Sequence, residues 1–102
     1  MLRYLDAETF AQAIASGIAL IYFGASWCTP CKNISPVIEE IAAENPDITV
    51  GRIDVDEHGI VAAEYDIMSI PTLLFFKDGK LMDSSIGVVG KNIIQTKIDA
   101  LK

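Results

Sequence analysis

Six consecutive apolar residues, Ile18-Ala19-Leu20-Ile21-Tyr22-Phe23, constrain this chain more than any other stretch of it. A strand that alternates apolar and polar side chains can leave one face in water. A continuously apolar one has to be covered on both faces. The chain is therefore expected to form a sheet with a helical layer on each side, and its flanking segments supply the helices. Asp6 is a plausible N-cap, since its carboxylate can accept from the free amides of a first turn. The helix it starts would run to about Ser16 and stop at Gly17. Beyond the apolar run, Ile34, Val37, Ile38 and Ile41 recur at helical spacing, giving a helix from near Cys28 to about Glu44. Pro36 lies inside it and should kink it.

The remaining elements follow the same logic. Asn45-Pro46-Asp47 is a turn. Ile48 to Val55 reads as a strand, Gly59 to Tyr65 as a short helix and Thr72 to Phe76 as a strand. Asp78-Gly79 is a hairpin signal that pairs this strand with Leu81 to Ile86. A last helix over Lys91 to Leu101 would present Ile93, Ile94, Lys97, Ile98 and Leu101 on one face. With Leu2 to Leu5 as an edge strand, the order is β-α-β-α-β-α-β-β-α: an α/β fold with a mixed sheet and helices on both faces. At 102 residues the chain is expected to be a single domain, residues 1–102.

Both cysteines fall in one short segment, Trp27-Cys28-Thr29-Pro30-Cys31-Lys32, at the junction of the buried strand and the second helix. A Cys-x-x-Cys pair there reads as a dithiol/disulfide redox centre. Residues i and i+3 on a helix are neighbours, about 5–6 Å apart, so the pair can close and open with little backbone movement. Two other readings compete with it: inert buried thiols, and half of a zinc site completed by His58, which sits in a polar loop and reads as a solvated residue. The net charge of −6, with no cluster of Lys or Arg, argues against nucleic acid as a partner. The chain carries no charge from Thr9 through Cys31. Asp6 and Glu8 before that stretch, and Gln12, Ser16, Gly17 and Ser26 within it, argue against an export signal or a membrane span. A cytoplasmic protein, with no membrane partner, is expected.

The chain resembles the thioredoxin family over nearly its whole length. The resemblance rests on the strand before the cysteines, on Trp27 through Lys32, on Pro36, on Ile53-Asp54-Val55-Asp56, on Ile70 through Gly79, and on Gly87. Pro71 stands 43 residues beyond Cys28. The resemblance implies a thioredoxin fold, a cis Ile70-Pro71 peptide packed against the cysteines, and protein-disulfide reduction. No bound cofactor is expected beyond a reversible Cys28-Cys31 disulfide. Substrates would be disulfide-containing proteins, electrons would come from a separate reductase, and the protein would act as a monomer. Cys28, nearest the helix N-terminus, would be the nucleophile with a lowered pKa, and Cys31 would resolve the mixed disulfide. The flanking Trp27 and Pro30 suggest an exposed site. Trp27, Pro30, Ile70, Gly87 and Val88 would form an apolar patch around Cys28, with Ile70 and Pro71 pairing an extended substrate. Two rival functions are a thioredoxin-fold binding subunit that does not depend on redox cycling, and a disulfide oxidase or isomerase.

Four positions depart from the family pattern. Thr29 replaces the usual Gly, stiffening the turn between the cysteines. Tyr22 stands where the family usually has a buried Asp, and a phenol is no general base near neutrality. Gly24 occupies the place of a second Trp. Arg52 replaces a Lys; it is expected to bond the Tyr22 hydroxyl or to turn to Asp54.

Overall fold

The computed structural model describes residues 2–102. Its elements are β1 (Arg3–Tyr4), α1 (Ala7–Ile14), β2 (Ile18–Gly24), α2 (Thr29–Glu44), β3 (Thr49–Asp54), α3 (Gly59–Glu64), β4 (Thr72–Lys77), β5 (Lys80–Ile86) and α4 (Lys91–Asp99). The five strands form one sheet in the order β1-β3-β2-β4-β5. β3 runs parallel to both β1 and β2, and β4 pairs antiparallel with β2 and β5. The apolar strand β2 lies at the centre, which is why it needs no polar face.

Alternation along the strands feeds two cores. Leu20 and Tyr22 of β2, Val50 of β3, and Leu73 and Phe75 of β4 meet Ile34, Ile38 and Ile41 of α2 and Ile94 and Ile98 of α4. Ala19, Ile21, Phe23, Ile53, Leu74 and Phe76 point the other way, onto Phe10, Ala13 and Ile14 of α1 and Val61 and Ala62 of α3. Each fully buried Ile, Leu or Phe removes enough apolar surface from water to contribute about 1.5–3 kcal/mol. Both layers are therefore needed to hold β2.

Several local signals act as expected. Asp6 caps α1 with a complete capping box: its Oδ1 accepts from the Thr9 amide at 2.8 Å, and the Thr9 hydroxyl oxygen accepts from the Asp6 amide at 2.8 Å. The Thr9 amide, and then the Thr9 hydroxyl 3.0 Å from Oδ1, hold the Asp6 carboxyl below its ordinary value. Asp78 and Gly79 both take positive φ, 51° and 84°, as a two-residue hairpin turn requires. The Asp78 carboxylate also accepts from the Gly17 amide at 2.8 Å, tying the hairpin to the turn between α1 and β2. α2 continues without a break past Pro36.

The last helix differs from expectation. It ends at Asp99, and its buried face is Ile94 and Ile98. Ile93 is about half exposed, because it lies one residue, or about 100°, from Ile94 around the helix. Lys97 leaves the core and pairs with Asp83 of β5 at 3.0 Å, which holds the Asp83 carboxyl low. β5 carries a register shift opposite Phe75 and Phe76.

Candidate active site

β2 ends at Gly24, and Ala25-Ser26-Trp27 carry the chain to Cys28, the N-cap of α2. Cys28 is extended (φ −84°, ψ 110°), and its Sγ accepts from the Cys31 amide at 3.2 Å. The cysteine sulfur thus performs the capping that Ser or Asp performs at other helices. Pro30 fits in the first turn, where its missing N–H costs no intrahelical bond. Cys28 and Cys31 are joined by a disulfide with their Cα atoms 5.2 Å apart. No acidic residue stands in the first turn of α2, so nothing there opposes the helix N-terminus in favouring an anion on Cys28.

The expected exposure is not found at the cysteines themselves. Cys28 is 4% exposed and Cys31 2%, because both are packed into the core that includes Leu20, Tyr22 and Ile34, with Ile70 against it. Trp27, Thr29, Pro30 and Lys32 are the exposed members of the motif.

The loop before β4 covers the disulfide. The Ile70-Pro71 peptide is cis, and Cys28 Sγ lies 3.9 Å from the Ile70 carbonyl oxygen. The Pro71 carbonyl accepts from the Gly87 amide at 2.8 Å, which brings Gly87 to this loop. Among the described residues, no backbone hydrogen bond engages the Ile70 amide or carbonyl. Ile70 and Trp27 line one shallow cleft with Val55, Ile67, Met68 and Ser69. Val88 follows Gly87 and is about half exposed. Met68, almost fully exposed, was missed in the sequence; as a single apolar residue in a loop it carries no periodic signal.

Trp27 is held in place by an acidic loop. Its Nε1 donates to Asp56 Oδ2 at 2.6 Å. Asp54 in turn accepts from the amides of Asp56 and Glu57 at 2.8 and 3.1 Å, fixing the turn after β3. Asp56 also escaped the sequence reading as a site residue, since 29 positions separate it from its partner.

Beneath the cysteines, Tyr22 is buried, and its hydroxyl donates to the Cys31 carbonyl at 3.1 Å. The Ser35 hydroxyl donates to the same carbonyl at 2.9 Å. Arg52 takes the second of its two expected courses. Its Nη2 lies 3.7 Å from Asp54 Oδ2, and its guanidinium stands over the rings of Tyr4 and Tyr22, 5.2 and 6.0 Å from their centroids. His58 is not the solvated residue anticipated. It is partly buried at the N-cap of α3 and lines a cleft with Tyr4, Asp6, Asp54 and Glu57. Among the described residues, no group of three or more His, Cys, Asp or Glu side chains is placed to hold a metal ion.

A helix-capping dithiol under a cis-proline loop has known counterparts. The thioredoxin family model matches residues 1–100. The chain belongs to the thioredoxin family. It is 46% identical over 92 residues to thioredoxin of Chlamydia trachomatis, covering 90% of each chain. It is 41% identical over 100 residues to thioredoxin of Staphylococcus aureus, covering 97% of this chain and 95% of the other. Among solved structures, a single-substitution mutant of thioredoxin from Halobacterium salinarum superposes with a TM-score of 0.91 at 30% identity, over 98% of this chain and 89% of that one. Family membership and the Cys28-Cys31 pair make the protein a dithiol thiol-disulfide oxidoreductase that reduces protein disulfides, with the disulfide as its redox group. Disulfide-bearing proteins and a reductase are its partners in general terms. No helix among the described residues is long and apolar enough to cross a membrane.

Proposed function

We propose that Cys28 is the attacking thiol and Cys31 the resolving one. The observation that carries this is the N-cap: Cys28 Sγ is the atom that the Cys31 amide points at, at 3.2 Å. Once the disulfide is reduced, an anionic sulfur at that position gains both this hydrogen bond and the helix N-terminus. Cys28 thiolate attacks a substrate sulfur, forming a Cys28–substrate bond as the substrate's own S–S bond breaks. The first substrate thiolate leaves and takes up a proton. Cys31 then attacks Cys28, closing the ring and releasing the second substrate thiolate. Two electrons pass from the dithiol to the substrate, and a separate reductase restores them.

The docking surface is the rim around the buried pair: Trp27, Ile70, Pro71, Gly87 and Val88, with Pro30 and Thr29 at its edge. An extended substrate strand would bond the unengaged backbone groups of Ile70 and lay its side chains against Trp27. The 102 residues act as one domain, as a monomer in the cytoplasm. The test is trapping. Cys31→Ser should accumulate a mixed disulfide with protein substrates, and Cys28→Ser should accumulate none. Alkylation of the reduced protein at neutral pH should modify Cys28 first; modification of Cys31 first would reverse the two roles.

A further inference from the structure

Tyr22 and Gly24 are two residues apart on β2 and so face the same side of the sheet. The Tyr22 ring lies across the Cα of Gly24. A Cβ built on Gly24 would sit 2.8 Å from Tyr22 Oη and 2.9 Å from two ring carbons, closer than real contacts allow. Any residue but Gly at position 24 would drive the phenol from its place. That place is chemically specific. Tyr22 Oη and Ser35 Oγ lie 3.4 Å apart and converge on one acceptor, the Cys31 carbonyl, at 3.1 and 2.9 Å.

On this side Cys31 lines a cleft of about 200 Å³ with Tyr22, Ser26, Lys32, Ser35 and Arg52. The titratable groups that face it are Tyr4 of β1, Tyr22 of β2, Lys32 of α2 and Arg52 of β3, with Asp54 behind Arg52 at 3.7 Å. Among the described residues, no carboxylate lines the cleft itself. Its two charged walls are cations, which favour sulfur losing a proton over sulfur keeping it.

We propose that Tyr22 is a positioning residue for the resolving step: with Ser35 it holds the Cys31 carbonyl, and the Cys31 proton leaves to water in this cleft. Gly24 is the space that lets Tyr22 do so. The proposal rests on the reading of Cys31 as the resolving thiol. In the step, Cys31 loses its proton to water and its sulfur attacks Cys28 Sγ. The Cys28–Cys31 bond forms as the Cys28–substrate bond breaks. The electron pair leaves on the substrate sulfur, which takes a proton from solvent.

Stopped-flow reaction of the full reduced protein with excess Ellman's reagent separates the two events. A phase dependent on reagent concentration reports attack by Cys28, and a concentration-independent phase reports resolution by Cys31. Tyr22→Phe keeps the ring and removes the bond. It should slow the second phase by about two- to tenfold, the scale of one neutral hydrogen bond, and leave the first phase unchanged. Ser35→Ala should do the same to a smaller extent. Gly24→Ala should match Tyr22→Phe, and should add nothing in a Tyr22→Ala background, where the ring it would strike is gone. The wild-type second phase should rise about tenfold per pH unit to a single plateau, as for one thiol ionising into solvent. An unchanged second phase in Tyr22→Phe at every pH, or a second ionisation in the carboxylate range, would overturn the proposal. A concentration-independent phase that persists in Cys31→Ser would instead overturn the assignment of Cys31 itself.

Discussion

The two faces of the sheet are built from different materials. On the α1/α3 face, Phe10, Phe76 and Tyr65 pack edge to face, with centroids 5.5–5.9 Å apart, and Phe23 joins at 6.4 Å. Burial, and then the Glu64 carboxylate, push the Tyr65 phenol up. On the α2/α4 face the core is mostly branched aliphatics, with Tyr22, Phe75 and the two cysteines set among them. The first face is a closed aromatic cluster without a reactive group. The second has polar atoms inside it, each satisfied: among the described residues no buried side-chain nitrogen or oxygen lacks a partner. Stability and chemistry are thus divided between opposite sides of one strand, β2, whose odd-numbered residues serve the first and whose even-numbered residues serve the second.

That division can be attacked from the aromatic side first. Phe76→Ala removes a ring shared by two edge-to-face pairs and should cost about 3–5 kcal/mol of stability. Denaturant melts would read the loss, while the alkylation rate of Cys28 in the folded fraction should not change. A changed alkylation rate would mean that the two faces are coupled through β2. At the rim of the chemical face the effect is smaller. Asp56→Ala frees the Trp27 indole and should change stability by no more than about 1 kcal/mol, the net worth of a typical hydrogen bond. It should raise KM for a protein disulfide several-fold and leave a small-molecule disulfide unaffected. An equal effect on both substrates would place Trp27 outside the docking surface.

The smallest effect belongs to neither core. The Asp6 carboxyl is held below its ordinary value by its bonds to Thr9. Its stabilising share is therefore complete above the unfolded carboxylate pKa and is lost as pH falls through the lowered folded value. Asp6→Asn keeps an N-cap acceptor but does not titrate. Its melting temperature should fall slightly less than that of the wild type between neutral and acid pH. Parallel curves would show that the cap contributes nothing to acid sensitivity.

The elements with a local cause were legible from the residues alone. β2 announced itself by an unbroken apolar run, α1 by Asp6, the hairpin by Asp78-Gly79 and the redox pair by its spacing. The parts set by distant partners were not. Nothing in the sequence says that the Tyr22 hydroxyl ends on the Cys31 carbonyl, or that Asp56 holds Trp27. Tyr22 and Gly24 read as two separate departures from the family pattern, because only the path of the ring makes them one. Ser35 was within reach: it stands four residues after Cys31, on the same helical face. The burial of Cys28 was misjudged because the exposure of its chain neighbours Trp27 and Pro30 says nothing of Ile70, 42 residues away, which packs against it.

The edges of the sheet carry a further consequence, for self-association. A long, flat, unpaired strand is a template on which further copies of a chain can add. Here one edge, β1, is only two residues long. The other, β5, begins at Lys80 and carries Asp83 paired to Lys97, and its pairing with β4 is interrupted by the register shift. Short length, charge and a bulge are three of the devices that blunt such edges. The backbone groups left open at Ile70 lie in a loop between elements, too short a stretch for another copy's strand to extend the sheet. The molecule can offer hydrogen bonds to a guest peptide and still resist polymerising with itself.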